Sequence, residues 1–263
     1  MWRGPEGAVG LSGCFWSSDF VPWHPMRGLA PAGYRADMPE SLDDAGATER
    51  VVGVQAVYDA VARRYLDQLA DELDGKPLDR ALLAALLELA GSGTVADLGC
   101  GPGHVTRWLA ARHPSTVGID LSPGMVALAR ARARELTFQQ GSMLDLAVDD
   151  GAWSAIVALY SVIHLTDEER ATACREMART LRPGGWVLLA FHVDSDEVSV
   201  GQVHRVTRWF GTDVELEAHF LEPEVVIGEV QAAGFRVMSR TEREPSPDVE
   251  YPSRRCYLMA QRR

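Results

Sequence analysis

The sequence predicts an α/β protein in which helices cover both faces of a doubly wound, mostly parallel sheet. Three observations carry that expectation. Strand-like and helix-like segments alternate from about residue 94 onward. The first strand-like run, "TVADL", opens straight into a glycine-rich turn and a helix. The chain closes with "FRVMSRTER" and "SRRCYLMAQ", two strand-like runs with no helix between them, which predicts a terminal hairpin and an antiparallel edge.

The elements follow in order. Residues 1–46 are rich in Gly, Pro and Ser and show no period of 2 or 3.6, so a disordered extension is expected there, followed by one domain over 47–263. The extension lacks the charged start and apolar core of a signal peptide. Its aromatic residues, Trp16 and Trp23 among them, leave docking on the domain as the alternative. A helix is expected from Val51, with Val54, Val57, Tyr58, Val61, Tyr65 and Leu69 near helical spacing. "LDRALLAALLELAG" is a second helix, stopped by Gly91. The alternation then runs "TVADL" (strand), "HVTRWLAAR" (helix), "STVGID" (strand) and "SPGMVALARARARE" (helix), the last with Ser122 as N-cap and Pro123 in the first turn. "LTFQQ" and "WSAIVALY" are strands, and a capping box from Thr166 to Glu169 opens the next helix. "WVLLAFH" is a strand, and "PEVVIGEVQAAG" is a helix closed by Gly234. Between them, residues 194–222 break the alternation and are expected to hold an amphipathic helix and a short strand, or to shape a pocket.

Composition removes several functions. With 26 basic against 37 acidic residues the net charge is −11, which disfavours a nucleic-acid partner. No apolar run reaches the ~20 residues of a membrane span. Cys14, Cys100, Cys174 and Cys256 form no CxxC pair, which disfavours zinc and suits a reducing, cytoplasmic compartment. No grouping of His and acids has metal-ligand spacing. Lys76 is the sole lysine and reads as a turn residue. No GxxxxGK[ST] loop exists, and Schiff-base chemistry would have to use this one side chain.

The glycines carry the functional signal. Gly99, Gly101 and Gly103 follow the first strand as GxGxG, and His104 stands where a dinucleotide fingerprint has its third glycine. That disfavours a nicotinamide oxidoreductase. Asp120 ends the second strand, 120 − 99 = 21 residues after Gly99, where an acid binds ribose hydroxyls. Asp145, in "GSMLDL" after the third strand, can accept from the adenine amine. Together these describe an adenosine lying across the strand ends.

On "VADLGCGPG", "VGIDLSPGMVALAR", "GSMLDL" and "LRPGGWVLLAF", in this order and spacing, the chain from about residue 50 to 263 resembles the class I S-adenosylmethionine-dependent methyltransferases. The resemblance implies a Rossmann-like seven-stranded sheet with an antiparallel last strand, and S-adenosyl-L-methionine as cofactor. It implies that Asp97, Gly99, Gly101 and Gly103 lie along the methionine part, that Asp120, with Leu121 and Met125 after it, holds the ribose, and that Ser142, Met143, Leu144 and Asp145 flank the adenine. Tyr58 and Tyr65 look like the leading-helix aromatics that close over the cofactor. The chain departs from the family at Ser154, where strand four commonly carries an acid, and it has "LYSVIHL" in place of an [DN]PP[YF] tetrapeptide. The second departure weakens an amino-group nucleic-acid methylase.

Methyl transfer needs alignment and, in some cases, a base. His164, His192, His204 and His219 are the candidate bases, and His164, after strand four, is the one selected. Tyr160, His192, Trp209, Phe210, His219 and Phe220 are the expected acceptor pocket. Beside each of these roles stands ordinary packing. The expected function is methyl transfer to a small molecule. The rivals are an RNA or protein methyltransferase and a non-catalytic binder of the same cofactor.

Overall fold

The computed structural model describes residues 42–247 and 249–263. The disordered extension expected over 1–46 lies outside them as far as residue 41, and for 42–46 it is corrected, since these residues are helical. The first helix, α1, spans Leu42–Leu69, so it begins ahead of the Val51 at which the periodicity becomes readable. A short 3-10 turn, Glu72–Gly75, leads into α2, Pro77–Ala90. The alternating part then runs β1 (Thr94–Leu98), α3 (His104–Ala110), β2 (Thr116–Asp120), α4 (Pro123–Arg132), β3 (Thr137–Gln140), β4 (Trp153–Leu159), α5 (Asp167–Thr180) and β5 (Leu181–Ser195). It continues with β6 (Val203–Trp209), β7 (Thr212–His219), α6 (Pro223–Ala232), β8 (Phe235–Arg243) and β9 (Ser253–Arg262). Among the described residues no helix is long and apolar enough to cross a membrane.

Seven strands form one sheet in the order β3-β2-β1-β4-β5-β9-β8. All neighbours from β3 to β5 run parallel, and β9 runs antiparallel to both β5 and β8. The last strand is therefore the reversed one and it pairs with β8, as the sequence predicts. It does not form the edge, however. The chain crosses from β5 through α6 and leaves one strand's width open, and β9 then fills that slot. Strand β8, parallel to the first five, is the edge.

Alternation along the strands divides the core into two layers. Val95, Val157, Leu188 and Met259 pack with Leu83 and Leu86 of α2 and Val105 and Leu109 of α3. Their neighbours Ala96, Ile156, Leu189 and Leu258 face the other way, onto Cys174 and Met177 of α5 and Val226 and Val230 of α6. Strand β4 is buried over Trp153–Ala158, which is why, Ser154 apart, it reads as an apolar run. Cys100, Cys174 and Cys256 are buried free thiols.

Local chemistry sets the helix starts. Ser122 caps α4 by accepting from the Met125 N–H at 3.0 Å. The capping box at α5 is complete, since Thr166 Oγ1 accepts from the Glu169 N–H and the Glu169 carboxylate accepts from the Thr166 N–H. Glu169 also pairs with Arg50 of α1. The next residue, buried Arg170, grips Glu229 of α6 with two hydrogen bonds of 2.6 Å each.

The expectation of a helix between β5 and α6 is corrected. Residues 203–219 form a two-stranded antiparallel ribbon outside the main sheet, turned at Phe210 and Gly211, both at positive φ. Its residues alternate, and Val214 and Leu216 face Val57 and Val61 of α1.

The Arg170–Glu229 pair generates a stability test. Arg170→Ala should destabilise the fold by about 3 kcal/mol, because it strands a largely buried carboxylate. Arg170→Met combined with Glu229→Leu should recover most of that loss, as read by denaturant unfolding.

Candidate active site

The order of strands reverses between β1 and β4, and the expected site residues gather at the carboxyl ends there. Leaving β1, the chain turns through Gly99, Gly101 and Gly103, all at positive φ. The loop is tied to β2 by the Gly99 N–H and Cys100 N–H, which both donate to the Ile119 carbonyl. A Cβ on Gly99 would stand 2.4 Å from Ser161 Cβ, and one on Gly103 would meet the Phe138 ring at 2.8 Å. Gly101 is different. Its added Cβ would meet only the Tyr65 ring, at 3.8 Å.

Two buried carboxylates flank this loop. Asp97 accepts from Thr106 Oγ1 at 2.6 Å. Asp120 accepts from the backbone N–H groups of Gly101 at 2.7 Å and Ser122 at 2.9 Å. Burial raises both carboxyls to about 6 against these hydrogen bonds, and neither has an ion-pair partner among the described residues.

Helix α1 covers the loop. Asp59 docks it on the start of α4, accepting from the Gly124 N–H at 2.8 Å and from the Ser122 hydroxyl. Tyr65 lies on Gly101, close enough to Glu72, Asp120 and Asp97 for their charges to reinforce burial in raising its phenol pKa. Tyr58 donates to His164 Nε2 at 2.7 Å, and His164 Nδ1 donates to the Glu217 carbonyl of β7 at 2.8 Å. The ring at the predicted base is thus bonded at both nitrogens, bridging α1, the turn after β4 and the ribbon. Burial lowers its pKa to about 4.

The expected pocket residues fall into separate groups. Trp209 and Phe210 pack edge-on to Tyr58 and Tyr65, with centroids 5.4–6.2 Å apart, and so join the cover that α1 forms over the glycine loop. Tyr160, His192 and Phe220 form a second group, stacked in sequence at 5.1 and 5.6 Å. Tyr251 and His204 join this group. Burial, with Arg255 and Lys76 nearby, lowers His192 to about 3. His219 stands apart, among the charges of Arg170, Arg50 and Asp167, and its Nε2 is buried without a partner among the described residues. Of the adenine-side segment, Ser142 bridges back to Asp145, whose side chain is exposed, while Met143 and Leu144 are half-buried. Leu121 follows Asp120 half-exposed, and Met125 is fully buried in the first turn of α4.

Sequence reasoning missed Asp59 and a buried ionic cluster beside Tyr160. Lys76, read as a turn residue, is only 4% exposed and pairs with Glu72 at 2.5 Å and Glu250 at 3.5 Å. Glu250 in turn meets Arg243 and Arg255. The only sequence signal was the i, i+4 spacing of Glu72 and Lys76. Surface hollows of about 340 and 380 Å³ lie elsewhere, at the start of β4 and between α5 and α6, and touch none of these residues.

Comparison with known proteins agrees with this geometry. A family model described as a methyltransferase domain matches residues 95–185, the stretch from β1 to the start of β5. An S-adenosylmethionine-dependent methyltransferase from Methanosarcina mazei superposes with a TM-score of 0.61 at 18% identity, over 69% of this chain and 96% of that one. Residues 95–185 thus match a methyltransferase domain, and the fold is that of the class I S-adenosylmethionine-dependent methyltransferase superfamily. Within it, trans-aconitate 2-methyltransferase of Methylobacterium nodulans is 34% identical over 152 residues, 56% of this chain and 54% of that protein. The chain therefore spans about half the length of this curated relative. The [4+2]-cyclase SpnF shares the fold too, with a TM-score of 0.57 at 19% identity, over 80% of this chain and 94% of that one.

The displaced pKa values give opposing pH effects. Asp97 and Asp120 titrate near 6 when folded, against an ordinary 3.8, so the stability they contribute is full below about 4 and is lost as pH rises through 6. His164 is lowered from 6.5, so its contribution is present above 6.5 and is lost as pH falls toward 4. Between pH 7 and 5, Asp120→Asn should therefore lose more thermal stability than the wild type, and His164→Asn less. Melting temperatures at the two pH values check both signs, and identical shifts in all three proteins would contradict them.

Proposed function

We propose that the protein is an S-adenosyl-L-methionine-dependent methyltransferase whose acceptor is a small molecule. The observation that carries this reading is the pair of buried carboxylates, Asp97 and Asp120, beside an open Gly101. A cationic adenosyl ligand stabilises such a pair. The pyrophosphate of a dinucleotide would lie against it with like charge.

When bound, the cofactor supplies a methyl group activated on a sulfonium. The chain's own residues then have distinct tasks. Asp120, as carboxylate, accepts from the ribose hydroxyls, and the Gly101 N–H it now holds becomes free for the ligand. Ser142, Met143, Leu144 and Asp145 flank the adenine. Tyr58 and Tyr65 close from α1 and exclude water, backed by Trp209 and Phe210. Tyr160, His192 and Phe220 present stacked apolar faces to the acceptor. His164 holds the cover in place, since taking a proton at Nε2 would first require Tyr58 to leave. The small-molecule acceptor is supported by the net charge of −11 and by the relative named for trans-aconitate. A cytoplasmic site of action belongs to the same proposal.

Calorimetry tests the cofactor. S-adenosylhomocysteine should bind and NAD should not, and Asp120→Ala should weaken binding by roughly 1.5–3 kcal/mol, the size of a hydrogen bond to a charged group. Equal affinity of variant and wild type would remove the ribose assignment. Transfer of a labelled methyl group to small acids, phenols or amines tests the reaction. Binding without transfer to any of them would leave a cofactor-binding protein. Once an acceptor is found, His164→Asn should turn over normally per folded molecule. A fall of roughly 10² to 10⁴ with loss of the acid limb would restore His164 as a base.

A further inference from the structure

A buried chain of charges ends beside the glycine loop on an atom with nothing to bind. Glu250 contacts the Lys76 ammonium at 3.5 Å, Lys76 contacts Glu72 Oε2 at 2.5 Å, and Glu72 Oε1 lies 2.7 Å from His104 Nε2. His104 follows Gly103 directly and opens α3, and its side chain is only 8% exposed. Its other ring nitrogen, Nδ1, is buried and has no hydrogen-bond partner among the described residues. A polar atom left so is costly unless something binds it.

The chemistry of that atom is fixed by its neighbours. Although burial works against its ionisation, Glu72 is held down to about 2 by His104 and Lys76, so it is a carboxylate and can only accept. His104 Nε2 therefore donates to it, and with the ring proton placed on Nε2 the Nδ1 atom presents a lone pair. The surroundings favour a cationic donor. Asp97 lies nearby, and Tyr65, resting on Gly101, lies near both Glu72 and Asp97. A ligand carboxylate there would face two carboxylates of the protein. A ligand ammonium would complete the chain.

We propose that His104, oriented by Glu72 and Lys76, receives the α-ammonium group of the cofactor at Nδ1 and so selects ligands that carry the amino-acid end. This rests on the S-adenosylmethionine reading and assigns a residue of this chain to one group of that ligand. Lys76, the only lysine in the protein, is then a positioning residue that keeps Glu72 ionised and aimed at His104.

The test compares three ligands by calorimetry on the full chain. S-adenosylhomocysteine carries the amino acid, its 2-oxo analogue keeps the carboxylate but lacks the amine, and 5′-deoxy-5′-methylthioadenosine lacks both. His104→Gln keeps a polar group at the position of Nε2 and loses the one at Nδ1. His104→Asn does the reverse. His104→Gln should weaken S-adenosylhomocysteine roughly 10- to 100-fold, as for a hydrogen bond to a charged group, and leave the other two ligands nearly unchanged. His104→Asn should bind S-adenosylhomocysteine much more nearly like wild type. The proposal is overturned if His104→Gln weakens all three ligands alike, since the ring would then only support the loop. It is also overturned if His104→Gln binds S-adenosylhomocysteine as wild type does. Wild type that binds none of the three would overturn the cofactor reading itself, and that result is distinct from the other two.

Discussion

The carboxylate of Asp59 decides how much of this site is buried. By accepting from Ser122 and Gly124 it fastens α1 to the free N–H groups at the start of α4, where a negative charge is favoured by the helix dipole. Two further polar ties run from the same helix. Tyr58 reaches His164, and Arg64 donates to the Phe210 carbonyl at 2.6 Å and to Thr212 at 2.8 Å. Between these anchors the apolar face of α1, Val57 and Val61, rests on Val214 and Leu216 of the ribbon. The cover is thus an α-helix and a hairpin that bury one another. The raised carboxyls of Asp97 and Asp120 follow from it, since burial is the first cause of both shifts.

The interior beneath the cover is charged in both signs. Glu72, Glu250 and Asp79 oppose Lys76, Arg243 and Arg255, and Tyr257 joins the set by donating to Asp79. A cluster of this kind contributes little net stability, because desolvation offsets the attraction. What it supplies is position. It holds Tyr160 from one side, with the Lys76 ammonium 5.5 Å and the Arg255 guanidinium 5.6 Å from the ring centroid, while His192 stacks on the ring at 5.1 Å.

How much of this was legible depended on range. The central strands were readable as apolar runs, because β1, β4 and the middle of β5 are buried on both faces. Ser122, Thr166 and Glu169 announced their helix starts through local spacing alone. The glycine loop and Asp120 were readable because one strand–turn–helix unit fixes them. What failed was long-range. The slot of β9 between β5 and β8 depends on which strand α6 skips, and local pattern carries no trace of that. The ribbon over 203–219 alternates as "VHRVTRW" and "TDVELEAH", yet its apolar residues are too sparse to stand out until α1 provides the surface they cover. Trp209 and Phe210 were drawn to the acceptor pocket by position in the chain, and the ribbon's fold carries them to Tyr58 and Tyr65 instead. Lys76 looked like a turn residue because nothing near it in sequence shows Glu250, its second acidic partner.

Tyr160 shows how the two halves of the site are joined. It stands at the end of β4 with φ at 55°, a region that costs a residue with a side chain of order 1–3 kcal/mol. Strain of that size persists only where the surroundings leave no alternative. Here the Tyr160 N–H is bonded to the Ala190 carbonyl at 2.8 Å, its hydroxyl lies 2.8 Å from that of Tyr257, and its ring is stacked on His192. The next residue, Ser161, packs against Gly99 so closely that a Cβ on that glycine has no room, and its hydroxyl donates to the Leu98 carbonyl at 3.0 Å. Three residues on, His164 takes up Tyr58. The strained turn therefore connects β5, the glycine loop and the cover within five residues. A shift of the Tyr160 ring would be felt at Gly99 through one peptide bond. On the function proposed above, an acceptor against Tyr160 and a cofactor along Gly99 would be placed by the same few backbone atoms, which is the kind of rigid coupling that alignment-dominated chemistry requires.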